Sequence, residues 1–195
     1  MYHTLFESHL SYCISVWGGA GKSKIDKVFI LQKKCVRILF GDLDAYLDKY
    51  NTCARMRTFQ KQNLGSEFFR KEPSKPLFVE QNLLTIHNLY IYHCCLEIFK
   101  ILKFRTPISL NSMFKLSLRK PTRVIIQKRT EFFAYRSAVM WNKLRNRLPK
   151  NWLEDFSIKL STLKTAMKII LLKNQSLYDE SEWCEYNLEL SRFHC

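Results

Sequence analysis

Apolar residues recur with the 3.6-residue period of an α-helix in four segments of the chain. The pattern predicts helices over residues 23–41, 83–103, 131–148 and 157–173. The second segment is apolar around most of its circumference, so we expect it to be central and largely buried. β-Branched residues at 123–127 are typical of a short extended segment. The fold class that follows is mainly α, a small bundle of three to five amphipathic helices.

Residues with known preferences for helix ends mark the limits of three of these helices. Ser23 followed by Asp26 makes an N-terminal capping pair, and Gly41 is a suitable C-terminal stop. Pro149 ends the third helix, because proline cannot continue it, and Ser157 is the expected N-cap of the last one. The sequence therefore predicts separate helices joined by connections.

Two segments depart from the helical pattern. Residues 42–76 interleave basic and aromatic side chains without a period as far as Pro73 and Pro76, and we expect a long loop or insertion there. Residues 178–195 carry five carboxylates and one Arg. We expect one helical domain over 2–173, followed by an acidic tail that either folds back onto the basic domain or is loosely ordered.

The charge of the chain is strongly positive. Its 195 residues include 32 Lys and Arg against 17 Asp and Glu, and the tail is net negative, so residues 1–177 carry +19. Nucleic-acid phosphate is the commonest partner of such a surface, ahead of anionic membranes and acidic proteins, although an ordinary solvated surface is an equal alternative. The candidate phosphate contacts lie on the polar faces of the predicted helices: Lys27, Lys34, Arg37, Arg145, Arg147, Lys164 and Lys168.

Other features exclude several classes of protein. The first twenty residues lack the pattern of a secretory signal, and no apolar run reaches the roughly 18 residues of a membrane span. The seven Cys have no CxxC pair and no regular spacing, which predicts reduced thiols in a nuclear or cytoplasmic protein.

The sequence predicts no catalytic residue, metal site or cofactor. The string Tyr46-Leu47-Asp48-Lys49 lacks the second carboxylate that a two-metal polymerase site needs. The His and Cys residues at 87–95 have no second ligand pair at zinc spacing and no group that would orient a nucleophile, so core packing is the favoured interpretation. Residues 18–23 resemble a phosphate-binding loop, but Val16 occupies the place of its first Gly.

Short motifs follow one another along the chain in a fixed order. They are His9-Leu10-Ser11-Tyr12-Cys13, Val16-Trp17-Gly18, Leu31-Gln32-Lys33-Lys34-Cys35-Val36-Arg37-Ile38, Ser74-Lys75-Pro76-Leu77-Phe78 before Leu83-Leu84-Thr85-Ile86, Ile98-Phe99-Lys100, Pro107 before Phe114, Arg129, Trp141-Asn142-Lys143-Leu144 with Leu148-Pro149, and a closing helix from Phe156 to Leu172. In this order they resemble the region downstream of the palm in jockey-like non-LTR retrotransposon polyproteins, over about residues 2–173.

This resemblance implies a fragment of an RNA-directed DNA polymerase that comprises its thumb and the helical region beyond it. It also implies that the fingers, the palm and the metal-binding carboxylates are missing, and that the parent region helps to hold the template–primer duplex. We therefore expect a non-catalytic protein that binds the backbone of RNA or DNA without sequence preference, with no small-molecule substrate and no membrane partner.

Three alternatives remain open. The first is a helical interaction module whose Trp17, Trp152 or Phe69 contacts a protein, and the second is an unselected transposon remnant. The third is the C-terminal part of a longer polymerase, since Met1 falls at the start of the element that runs from Tyr2 to Trp17. The long segment 42–72 and the acidic tail depart from the family pattern. Both departures suit a decayed copy and a reused domain equally.

Overall fold

The computed structural model describes residues 1–41, 74–118, 123–125, 132–149, 156 and 158–175. This part of the chain contains a π-helix, Tyr2–Glu7, and eight α-helices, and it contains no β-strand. The α-helices are α1 (Ser8–Ser11), α2 (Ile14–Trp17), α3 (Lys22–Phe40), α4 (Ser74–Glu80), α5 (Ile86–Phe104), α6 (Ile108–Asn111), α7 (Phe132–Arg145) and α8 (Leu160–Gln175). The predicted mainly α fold class is confirmed.

Helix α5 is the centre of the fold. The Thr85 hydroxyl caps its N-terminus by accepting a hydrogen bond from the Asn88 backbone N–H, at 3.4 Å. Twelve of its 19 residues are buried. Helices α1, α2, α3, α6, α7 and α8 all contact it. The prediction of a central, largely buried helix at this place is therefore confirmed.

Helix α8 lies antiparallel to α5. At the end of α5, the Lys103 amine donates a hydrogen bond to the Ile158 carbonyl, at 2.6 Å. At the start of α5, the Asn88 side chain donates one to the Leu171 carbonyl, at 3.2 Å. The C-terminal end of α8 therefore lies beside the first turn of α5.

Helix α7 runs in the same direction as α5 and brings Trp141 into the core. Trp141 is fully buried, and its ring lies 6.2 Å from that of Phe99. The next residue, Asn142, holds the backbone of Val124 with two hydrogen bonds, 3.1 Å to its N–H and 2.8 Å to its carbonyl. Val124 pairs with Leu116 in a single antiparallel bridge, so an extended segment does form around this residue.

Gln32 joins helix α3 to the start of α5. Its amide nitrogen donates hydrogen bonds to the Tyr2 hydroxyl, at 2.8 Å, and to the Leu84 carbonyl, at 2.9 Å. Its amide oxygen accepts one from the Ile86 N–H, at 2.8 Å. Gln32 is fully buried, so these bonds satisfy backbone groups that water does not reach.

Several predicted helix limits are wrong. Helix α3 begins at Lys22 with Gly21 as its N-cap, and glycine has no side chain to cap the helix. Ser23 and Asp26 lie within the first turns of the helix and do not cap it. Residues 74–76, predicted as the end of a long loop, instead begin helix α4, whose first turn tolerates Pro76. The stop at Gly41 is confirmed.

The later limits also differ from prediction. Helix α7 ends at Arg145, three residues before the predicted Leu148, because the chain turns there and buries Leu148. Helix α8 extends to Gln175, beyond the predicted end at 173. The predicted cap Ser157, the residues 42–73 of the predicted loop and the acidic tail lie outside the described residues.

The N-terminal segment contacts α5 through a glycine turn. A Cβ at Gly18 would lie 2.5 Å from the Tyr90 ring, and one at Gly19 would overlap the Arg136 guanidinium, which itself donates to the Gly19 carbonyl. The glycines of residues 18–23 thus allow a close approach to helix α5.

A buried histidine makes stability depend on pH. His87 is 5% exposed, with its ring 5.3 Å from that of Phe29, and burial lowers its pKa to about 4 from an ordinary 6.5. The neighbouring charges of Asp26, Lys22 and Lys33 modify this shift. Because the unfolded chain takes up the proton first, the His87 contribution is complete above pH 6.5 and is lost as pH falls towards 4.

We expect this linkage to cost the folded protein about 3 kcal/mol between pH 7 and pH 4. Urea unfolding across that range checks it, with His87→Gln as the test and the exposed His9→Gln as the matched control. His87→Gln should flatten most of the slope, and the remainder reflects His93, whose pKa burial also lowers. Equal slopes in His87→Gln and in the unsubstituted protein would contradict the prediction.

Candidate nucleic-acid interface

Positive charge is concentrated in the described fold. These residues include twenty Lys and Arg but four carboxylates, Glu7, Asp26, Glu80 and Glu97. Two of the four already have a partner, since Glu7 binds His3 and Glu97 accepts from the Lys100 amine at 2.8 Å. The helical fold is therefore an electropositive body with few internal counter-charges.

Three of the predicted contacts lie on helix α3. Lys27 and Lys34 are exposed, and Arg37 is half-buried. Beside them the Lys33 amine lies over the Phe29 ring, 4.3 Å from its centroid. Helix α3 thus presents two extended lysines to the surroundings and holds a third cation against the core.

Two predicted contacts lie where helix α7 ends. Arg145 is half-buried and Arg147 is exposed in the following turn. Burial lowers the pKa of Arg145, and the positive charge of Arg123 lowers it further. The positive charges of Arg123 and Arg145 repel each other, and an anion bound near them relieves this repulsion. This is the property expected of a phosphate contact.

The last two predicted contacts lie one turn apart on helix α8. Lys164 is exposed and Lys168 is half-buried. Burial lowers the pKa of His93 on α5, and Lys100 and Lys164 act in the same direction, against Glu97 and Glu7. Lys164 therefore adds to the positive field along the side of the central helix.

The seven residues form three groups that are spread along α5 and do not converge on one point. The contacts of Phe29 and Gln32 place α3 at the start of α5, whereas Trp141 beside Phe99 directs the end of α7 towards the end of α5. With 19 residues, α5 is about 28 Å long, which corresponds to about eight base pairs of a duplex.

The outer surface of α3 is not purely basic, contrary to the sequence pattern. Ile30, Leu31 and Ile38 are 50%, 56% and 62% exposed. The signal was present in the sequence, because these residues lie opposite the buried Ile25 and Val36 at 100° per residue. The positions of the lysines alone predict a basic surface and do not indicate these aliphatic residues.

The aromatic residues proposed as protein contacts are less suited to that role. Trp17 is half-buried, packs against the core and donates its indole N–H to the Tyr12 carbonyl at 2.7 Å. Trp152 and Phe69 lie outside the described residues, as does the string at 46–49.

Packing explains the histidine and cysteines of helix α5, as predicted. Cys94 and Cys95 are fully buried. Burial raises the pKa of Cys94 to about 12, although hydrogen bonds with Ser137 and Tyr90 oppose the shift. A thiol with such a pKa is not a nucleophile at neutral pH. Among the described residues, no group of three His, Cys, Asp or Glu is arranged to hold a metal.

None of the helices in the described ranges combines the length and apolar character needed to cross a membrane. No protein-family model matches the chain, no curated protein matches its sequence and no solved structure matches its fold. The resemblance to jockey-like polyproteins therefore stays a prediction, and a functional assignment depends on the charge, burial and contacts above.

Proposed function

We propose that this protein is a non-catalytic module that binds the backbone of an RNA or DNA duplex without reading its sequence. One observation carries the proposal: twenty basic residues against four carboxylates in the described fold. The basic groups on α3, α7 and α8 lie along a central helix whose length matches several successive phosphates. The resemblance to the region beyond the palm of retrotransposon polymerases supports the same role, that of holding a duplex.

The release of counterions from the duplex provides the test. With five to seven phosphate contacts, the logarithm of the binding constant should fall with the logarithm of salt concentration with a slope of about −5 to −6. We therefore expect about a thousandfold loss of affinity between roughly 50 and 200 mM salt. Titration of a labelled duplex of about 20 base pairs measures the slope, and a second duplex of scrambled sequence should bind equally well.

Substitution of individual lysines tests which residues contact the phosphates. Lys27→Gln with Lys34→Gln should reduce the magnitude of the slope by about 2. Lys115→Gln with Lys159→Gln removes two exposed charges from positions that are not candidates and is the matched control. A slope near zero, or equal slopes in the two double variants, would contradict the assignment.

The exposed aliphatic residues of α3 favour a second candidate function, that of a protein-interaction module. Contact with phosphate groups does not remove the apolar surface of exposed Ile and Leu from water. A partner with apolar groups does, so these residues favour a protein partner.

A further inference from the structure

The outward surface of helix α3 carries lysines and large aliphatic residues together. At 100° per residue, seven exposed residues fall within about 120° of the helix circumference, Ser23 and six Lys or aliphatic residues. We call this surface the Lys–aliphatic face; it comprises Lys24, Lys27, Ile30, Leu31, Lys34 and Ile38, all exposed. The carboxylate of this helix, Asp26, lies outside the face, and its charge acts on His87.

The arrangement within the face selects the kind of partner. A helix that enters a bilayer surface separates its apolar side from its basic side. Here Lys27 and Lys34 lie at angles between Ile30 and Leu31, so no apolar strip is clear of lysine. A partner that alternates carboxylates and apolar side chains satisfies both kinds of residue, whereas a phosphate backbone satisfies only the lysines.

The chain itself supplies such a segment. Residues 179–190 contain five carboxylates interleaved with apolar residues. The carboxylates are Asp179, Glu180, Glu182, Glu185 and Glu189, and the apolar residues include Trp183, Tyr186, Leu188 and Leu190.

The described fold ends near the start of helix α5, which also contacts α3. Asn88 on α5 donates to the Leu171 carbonyl, one turn before α8 ends at Gln175. The preceding residue, His87, packs its ring 5.3 Å from that of Phe29 on α3. The chain thus leaves α8 at the end of α5 that also contacts α3, the helix that carries the face. Three residues connect Gln175 to Asp179, and each spans up to about 3.4 Å.

We propose that the acidic segment 179–190 docks on the Lys–aliphatic face of helix α3 in the same chain. Its carboxylates pair with the lysines, and its apolar side chains cover Ile30, Leu31 and Ile38. Linkage within one chain raises the effective concentration of the segment at the face. Docking also competes with nucleic-acid phosphate for Lys27 and Lys34; this consequence alone rests on the proposed function.

A zero-length carbodiimide, which joins a carboxylate to an amine in contact with it, tests the docking in the full chain. We expect cross-links from residues 179–189 to Lys24, Lys27 and Lys34, identified by mass spectrometry in the monomer. Raising the salt concentration from about 50 to about 500 mM should reduce their yield. Leu31→Ser with Ile38→Ser should reduce it about fivefold.

Ile108→Ser with Ile169→Ser, which replaces exposed aliphatic residues on α6 and α8, is the matched control and should leave the yield unchanged. A mixture of isotope-labelled and unlabelled chains distinguishes docking within one chain from docking between two chains. Cross-links formed only between differently labelled chains would assign the face to a second copy and overturn the proposal. Cross-links spread evenly over all exposed lysines would also overturn the proposal, and so would the absence of any cross-link.

Adding a duplex to the cross-linking reaction tests the docking and the proposed function independently. Loss of the cross-links when a duplex of about 20 base pairs is added supports both. Cross-links that persist while the duplex binds neither the full chain nor the Leu31→Ser, Ile38→Ser variant, in which docking is weakened, leave the docking intact and refute nucleic-acid binding. Duplex binding without any cross-link refutes the docking alone.

Discussion

Replacing Gln32 with leucine is expected to lower the free energy of unfolding by about 3–4 kcal/mol. Leucine has nearly the same volume, so the loss comes from hydrogen bonding. The substitution leaves the Tyr2 hydroxyl, the Leu84 carbonyl and the Ile86 N–H without the partner that Gln32 provides in a fully buried place. Each such group costs about 1–3 kcal/mol when it loses its partner, and the added apolar surface offsets part of the sum.

Urea unfolding monitored by circular dichroism measures this loss as a lower midpoint with an unchanged slope. Tyr2→Phe removes one of the three bonds and should cost about 1 kcal/mol. Gln81→Leu makes the same substitution at an exposed position and should cost less than about 0.5 kcal/mol. A Gln32→Leu variant as stable as Gln81→Leu would show that the amide does not hold α3 to α5.

The helices with a clear period were predictable because burial alone sets their pattern. Helix α5 is apolar on nearly every side, and only a helix surrounded by others satisfies that pattern. Its partners α3, α7 and α8 each bury one stripe against it, so their sequences show the same signal more weakly.

The role of Gln32 was not predictable, because two of its three partners are backbone groups more than fifty residues away along the chain and the third is the Tyr2 hydroxyl. A periodicity argument assigns a glutamine to the polar side of a helix, yet this one is fully buried. Asn142 is a second polar residue with a structural role, since its side chain binds the backbone of Val124, 18 residues earlier in the chain. Polar residues that replace missing backbone partners follow the tertiary fold, and local pattern does not reveal them.

The candidate interface was predictable only as a list of residues. Net charge and helix faces identified the lysines and arginines, but the packing of α3 and α7 on α5 decides how far apart they lie. A count of charges registers only the basic residues of a helix face. The exposed aliphatic residues Ile30, Leu31 and Ile38 were therefore not predicted.

Different residues stabilise the fold and carry the proposed binding. Gln32, Trp141 and Asn142 belong to the motifs that resemble retrotransposon polyproteins, and each one packs or hydrogen-bonds within the fold. Exposed lysines carry the proposed binding. Substitution of Gln32, Trp141 or Asn142 should therefore lower stability, whereas substitution of Lys27 or Lys34 should lower affinity and leave stability nearly unchanged.

The largest loss of stability is expected for Trp141→Ala, about 3–5 kcal/mol, which corresponds to a fall of about 10 °C or more in Tm. Trp141 is fully buried beside Phe99, which also contacts Phe156, with ring centroids 5.8 Å apart. Alanine leaves a cavity at the junction of α5 and α7, beside the Phe99 ring that also packs against Phe156. Closely packed neighbours refill such a space only in part.

Thermal and urea unfolding of the full chain measure this loss, and two further variants establish its cause. Trp141→Phe keeps most of the apolar volume and should cost about half as much. Phe104→Ala removes an aromatic ring that is 55% exposed on the same central helix and should cost less than about 0.5 kcal/mol. If Trp141→Ala were no more destabilising than Phe104→Ala, helix α7 would not be packed on α5 through this side chain.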